Sequence, residues 1–411
     1  MSGTVYLQVF YRPYPGAVPY CTYMKARYSG AIFLALLWAP APTHAQSIFT
    51  VVPTPNGHHG PTNNALQAVA ASSPSDIWAV GQTAIHFDGT QWTAFATPEI
   101  NGDNTSYLDG VVDISPTEAW AAGIVGIGTA APNQVIERWN GTAWSVFQGP
   151  TFTSSEQPSI YGMTALSGTD IWAVGALLVD NATLKALFEH WDGTAWTAKA
   201  GPFYGFFRGV SADAPNDIWA VGYSGLNFVT FSEHYDGTSW TLVRTPDVGS
   251  GPNVLNGVVA LAPDNVWAVG YSTASQKPPP GQYDVPTKTL IEHYDGTSWI
   301  VVPSPNVGPN SQYQSNRLLG VTAVSPTDIW AFGSYFAASG SEYQMTLVLH
   351  WDGTAWSLAE SPSPQPGGFL SDILFSGVVT APGSVWIVGS LDPAAQGKPV
   401  TDTFVLHTTG G

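Results

Sequence analysis

The sequence repeats a set of residues that bind metals and carry protons. Six histidines, His86, His190, His234, His293, His350 and His407, occupy the same slot of a recurring phrase, as in "EHWDGTAW" and "EHYDGTSW". Arg138 fills that slot once, in "ERWNGTAW". Imidazole is a good ligand for transition metals. The spacing opposes a shared ion, because the ligands of one ion must converge within a few ångströms. One histidine per repeat spreads them apart. The expected role is a hydrogen bond from this slot to an acidic turn residue such as Asp76 or Asp217. No metal and no cofactor is expected, and no P-loop, G-x-S-x-G or H-E-x-x-H string occurs.

Other donors stand off the repeat. His58 and His59 lie in "NGHHGPTNN" and are expected in a solvated loop. Glu99–Asn104, "EINGDN", offers oxygen donors without the spacing of a calcium loop.

The elements that position these residues are written in repeats. "DIWAVG" at Asp76–Gly81 returns at Asp170–Gly175 and Asp217–Gly222, with "EAWAAG", "NVWAVG", "DIWAFG" and "SVWIVG" as relatives. Its tryptophans are Trp78, Trp120, Trp172, Trp219, Trp267, Trp330 and Trp386, spaced from 42 to 63 residues. Each repeat holds four short segments rich in Val, Ile, Trp and Tyr, bounded by Pro, Gly, Asn and Asp. In the fifth these are "LNGVVAL", "NVWAVGY", "LIEHYDG" and "SWIVVP", here termed strands A to D. "DGT" between C and D supplies the positive φ of a tight hairpin. Four antiparallel strands every fifty or so residues predict an all-β, seven-bladed β-propeller. The seventh repeat runs to "VLHTTGG" without a strand D. "SIFTVVPTPN" at Ser47–Asn56 aligns with "SWIVVPSPN" at Ser298–Asn306, so the N-terminal strand is expected to close the last blade. The repeated tryptophans are expected to fill the core between blades.

Composition agrees. Of 411 residues 44% are hydrophobic and 13% aromatic, enough for a large core, and only 10% are charged. Residues 1–45 read as a leader, with a secretory signal over 24–45: Lys25 and Arg27, the apolar run Ala31–Ala39, then Thr43-His44-Ala45. Met24 is an alternative start to Met1. Residues 46–411 form one domain. The only cysteine, Cys21, lies in the leader, as do Arg12, Lys25 and Arg27, three of the twelve basic residues and none of the 29 acidic ones. The remainder carries a charge of about −20, which disfavours nucleic acid and anionic lipid. No second apolar stretch is long enough to span a bilayer. The expectation is a secreted or cell-surface, monomeric protein.

On the repeat phrases, the chain resembles the kelch-like propellers of exported bacterial proteins, and more loosely the Asp-box propellers of the sialidase group. The resemblance covers residues 47–411 and implies a fold without implying a function. It departs from kelch repeats in lacking a Gly-Gly doublet after strand B. "DGTSW" lacks the Ser or Thr two places before the Asp of an Asp box, and its Asp-to-Trp distance is one short. Enzymes on such scaffolds need residues that are sparse here. A copper-radical oxidase needs a Tyr–Cys crosslink. A sialidase-like hydrolase needs clustered arginines, and only Arg138, Arg208, Arg244 and Arg317 follow the leader.

The A–B and C–D turns keep their length, whereas the B–C and D–A connections vary. From the strand-B Gly to the strand-C His the distance is 5 residues in repeat one and 23 in repeat five. One face of the ring is therefore individual, and loops on a rigid scaffold are where binding resides. One position in strand A also differs in every copy: Gln67, Asp109, Tyr161, Arg208, Asn256, Leu319 and Phe375. These are expected at the channel mouth, as ligand contacts or as contacts between blades. Tyr107, Tyr161, Phe203, Tyr204, Tyr283 and Tyr335 are expected to be exposed aromatics suited to sugar rings. The functional expectation is non-catalytic binding of a glycan or extracellular protein. The alternative is a polysaccharide-acting hydrolase or lyase using two of Glu99, Asp103, Asp109, Glu156 and Asp247, which no spacing pairs.

Overall fold

The computed structural model describes residues 2–11, 20–29, 48–57, 64–98, 107–125, 133–180, 183–225, 228–275, 286–308, 315–336, 344–364, 371–391 and 401–408. His58, His59, Glu99–Asn104 and Tyr283 lie outside them. The chain divides into two units, Met1–Ala45 and Gln46–Gly411. In the first, Ser2–Tyr11 pairs antiparallel with Tyr20–Ser29. No helix among the described residues is long and apolar enough to cross a membrane.

The second unit is a seven-bladed β-propeller of four-stranded antiparallel sheets. The innermost strands are Leu66–Ser73, Tyr107–Ser115, Glu156–Ser167, Phe206–Ala214, Asn253–Ala262, Asn316–Ser325 and Asp372–Ala381. Strand B is buried on both faces, which explains its unbroken apolar run. Trp78 and Val80 pack toward the second blade, with Val111, Trp139 and Trp144. Ile77 and Ala79 pack toward the seventh, with Trp386 and Val388.

Each strand-B tryptophan meets an aromatic ring of the next blade. Ring centroids are 4.8 Å apart for Trp78–Trp139, 5.2 Å for Trp120–Trp191 and 4.6 Å for Trp219–Tyr294. At the junction of the sixth and seventh blades Trp330 meets Phe49 edge-on at 5.4 Å. Phe49–Val51 is the outer strand of the seventh blade, with Phe49 opposite Thr408 and Val51 opposite Leu406. Thr54 Oγ1 lies 2.8 Å from Thr403 Oγ1, and Asn56 Nδ2 donates to Asp402 Oδ1 at 2.7 Å. The ring therefore closes with one strand from the opposite end of the chain.

The C–D turns follow from their sequence. Gly89 has φ +92°. Asp88 Oδ1 accepts hydrogen bonds from Thr90 N, Thr90 Oγ1 and Gln91 N at 2.6–2.9 Å. These bonds hold the Asp88 carboxyl down at about 2.

Candidate functional site

In all seven innermost strands the ladder to strand B skips two residues, one just before the A–B turn and one nearer the start of the strand. The residues skipped nearer the start are Gln67, Asp109, Tyr161, Arg208, Asn256, Leu319 and Phe375. Each is the extra residue of a β-bulge, which frees its side chain from the pairing pattern and re-aims it. The preceding residues, Leu66, Leu108, Ile160, Phe207, Leu255, Leu318 and Leu374, are buried. Each strand thus turns an anchor into the blade and the next side chain toward the axis.

The glycine that ends "DIWAVG" permits this bulge. A Cβ on Gly222 would overlap the Phe206 carbonyl oxygen, and one on Gly123 would overlap that of Tyr107. The same overlap recurs at Gly81, Gly175, Gly270, Gly333 and Gly389.

The seven bulged residues line one cavity of about 390 Å³ at the axis. They come from the starts of the A strands, so the cavity opens on the B–C and D–A face. Gln67, Asp109, Tyr161, Arg208 and Asn256 form a polar arc across five consecutive blades, and Leu319 and Phe375 close it with an apolar one. Below them Val69, Val111, Met163, Val210, Val258 and Val321 form an apolar floor. Val69, Val111 and Met163 also line a second cavity, of about 500 Å³, toward the A–B turns.

Arg208 and Asp109 set the electrostatics. The Arg208 guanidinium carbon lies 4.6 Å from the centre of the Tyr161 ring, within cation–π range. Its Nη2 is 3.4 Å from Tyr223 Oη. Its Nε is buried with no hydrogen-bond partner, and no carboxylate among the described residues is within ion-pair distance. Burial raises the Asp109 carboxyl to about 7, against the pull of Arg208. Asn256 is engaged between blades, donating from Nδ2 to the Leu318 carbonyl at 2.8 Å.

Other expected residues lie elsewhere. Asp109 is the one carboxylate lining the cavity among the described residues. Glu156 accepts from Thr153 N and Oγ1, both at 2.9 Å, and Asp247 accepts from Thr230 N at 3.1 Å. Phe203 and Tyr204 are exposed, whereas Tyr107, Tyr161 and Tyr335 are half-buried, contrary to expectation. Tyr161 is covered by Arg208, and Tyr335 lies on an extended strand B with its hydroxyl 3.6 Å from Met345 Sδ.

The strand-C slot makes one structural network seven times. His86, His190, His234 and His350 bond Asp76, Asp170, Asp217 and Asp328 at 2.6–2.9 Å. His293 bonds Asn265, His407 bonds Ser384, and Arg138 bonds Glu118. Each imidazole lies over its strand-B tryptophan, from 3.9 Å at Trp386–His407 to 4.6 Å at Trp78–His86. Where the partner is neutral, at His293 and His407, burial lowers the imidazole pKa. Among the described residues no group of three His, Cys, Asp or Glu is placed to hold a metal ion.

A set of acids escaped the sequence reading. Glu137, Glu189, Glu233 and Glu292 precede the strand-C slot in four consecutive repeats and are buried. Their counterparts are Ile85, Leu349 and Leu406, an apolar alternation that marks the position as inward. Neither carboxyl oxygen of Glu137 or Glu292 finds a hydrogen-bond partner among the described residues. Burial pushes these carboxyls up to about 8, 8, 7 and 9 respectively. Between the unfolded value of roughly 4.3 and these values, the folded state holds protons that the unfolded state has released. Stability therefore falls as pH rises through that window. The melting temperature is expected to drop steadily from pH 5 to pH 9 in thermal melts. Glu292→Gln should flatten the slope and melt higher than the parent at pH 8. A profile flat in both proteins would overturn this.

No protein-family model matches the chain, and no curated protein does. Among solved structures, YCF48 bound to D1 peptide is similar with TM-score 0.54 and 13% identity, over 89% of this chain and 97% of that one. A Dyadobacter fermentans DSM 18053 protein of unknown function matches with TM-score 0.44 and 12% identity, over 72% of this chain and 96% of that one. The first likeness is one of fold.

Proposed function

We propose that this propeller is an exported, kelch-like binding protein that docks a peptide segment of an extracellular protein on its individual face, with the axial cavity as the specific pocket. On this reading residues 24–45 are a removable secretory signal, and 46–411 are the working domain. The observation that carries it is convergence. A strand position that differs in all seven repeats is bulged in all seven and enters one cavity. Its volume falls in the range of ligand pockets, and its lining mixes a few polar groups with apolar surface. The likeness to a propeller bound to a peptide supports the ligand class. Hydrolysis by paired carboxylates would need a second acid beside Asp109.

Selection of displayed random peptides against residues 46–411 is expected to enrich binders. Phe375→Ala should weaken them about tenfold, in line with loss of a buried aromatic anchor, without lowering the melting temperature. The reading fails if no peptide is enriched, or if affinity ignores substitutions in the cavity. Phe203 and Tyr204, exposed on the third blade, favour a second ligand class, glycans. A glycan array that binds, and loses its signal in Tyr204→Ala alone, would select that reading.

A further inference from the structure

We infer that the axial cavity takes the C-terminal carboxylate of a peptide whose last residue is aliphatic. The inference rests on the peptide-docking reading and names what that site recognises.

The cavity is chemically ordered in depth. The upper layer carries Arg208 and Asp109 on one side and Leu319 and Phe375 on the other. The floor is formed by Val69, Val111, Met163, Val210, Val258 and Val321, and the hydroxyl of Ser376 beside it accepts from Val69 N at 3.4 Å. A complementary ligand places an acceptor at the upper level and an apolar group beneath it. An internal Asp or Glu reverses this order, carrying its carboxylate at the tip and into the valines. A C-terminal aliphatic residue matches, because its α-carboxylate and its side chain diverge from one carbon. The volume, about 390 Å³, suits a chain end better than a segment passing through.

Arg208 is prepared for such an acceptor. Its guanidinium lies against Tyr161 and beside Tyr223 Oη, which fixes its plane. Among the described residues its Nε is buried with no hydrogen-bond partner, and no carboxylate lies within ion-pair distance of it, Asp109 acting on it from farther off. A planar fork held in a partly desolvated site is the geometry that grips a carboxylate in two parallel hydrogen bonds. The titratable and charged groups facing it are Asp109, Tyr161 and Tyr223, and Asp109 acts in turn on Tyr107. Burial keeps Tyr107 and Tyr161 neutral. Asp109, raised to about 7, presents a carboxyl proton at acidic pH and a repelling charge at alkaline pH. A carboxylate ligand should therefore bind more tightly below pH 7.

The test uses fluorescein-labelled Gly-Ser-Gly-Ser-Leu with a free C-terminus, the same peptide as its C-terminal amide, and residues 46–411, read by fluorescence anisotropy. The acid is expected to bind at least about tenfold more tightly than the amide, the effect of one charge-assisted pair. Arg208→Gln should bring the acid to the level of the amide, and Arg208→Lys should restore part of the difference. Near-UV circular dichroism identical to the parent shows that the variants are folded. Affinity for the acid should fall about tenfold from pH 6 to pH 8, and Asp109→Asn should remove that dependence. Equal binding of acid and amide, with both weakened by Phe375→Ala, overturns the carboxylate while leaving peptide docking intact. Failure of the acid to bind at all overturns the inference, and peptide docking then rests on the displayed library alone.

Discussion

Removing residues 46–56 should lower the melting temperature more than any single substitution, and Phe49→Ala alone should cost about 3–5 kcal/mol, the range for a buried aromatic cut to alanine. Phe49 is 1% exposed and fills the junction of the sixth and seventh blades with Trp330, Leu374 and Phe404. Deletion removes that ring and also Val51, Thr54 and Asn56, which hold Asp402–Thr408. Strand C of the last blade would then present an unpaired edge, a template for association. Two readouts follow, a lower melting temperature in calorimetry and larger species in sedimentation. An unchanged melting temperature in both variants would show that closure contributes nothing.

Gly222→Ala is the second large effect, and its sign opposes the usual rule. Alanine in place of glycine within a strand ordinarily stabilises by roughly 0.5–1 kcal/mol. Here the new Cβ would overlap the Phe206 carbonyl, and no rotamer relieves a clash between two backbones. The strands must part or the bulge must flatten, and a loss of about 3 kcal/mol or more is expected, at the upper end for overpacking. Gly225, three residues on, is the control. A Cβ there meets nothing closer than 3.7 Å, so Gly225→Ala should be close to neutral. Chemical denaturation compares the two; equal midpoints would refute the overlap. Flattening the bulge at Gly222 would also withdraw Arg208 from the cavity, so peptide affinity should fall wherever the variant still folds.

Much of the architecture is legible in the chain because seven copies comment on one another. Strand number, the place of each tryptophan and the origin of the closing strand follow from aligning the repeats. The bulged positions show themselves as the sites where the copies disagree. What the bulge does is not legible. Period-two alternation would assign an anchor such as Phe207 and its neighbour Arg208 to opposite faces, without showing that seven such neighbours reach one axis. The stacking of Arg208 on Tyr161 joins two blades 47 residues apart in sequence and depends on side-chain torsions that no spacing encodes. The buried glutamates were hidden by their neighbours. "EHYDGT" reads as a polar turn, although Glu292 faces the core while Asp295 is exposed. The aromatics at Tyr161 and Tyr335 turned inward because exposure depends on what lies across the strand, which local composition does not report.

Residues 49 and 408 are register partners at the point where every other blade passes from its third strand to its fourth through a short turn. A peptide link across that seam would turn the domain into a closed circle of equivalent sheets. The circle could then be opened at another surface connection with each ladder preserved, as circular permutation does at exposed loops. Blade order in the gene is thus a choice of where a ring is cut. The numbering has a beginning, and the folded object does not.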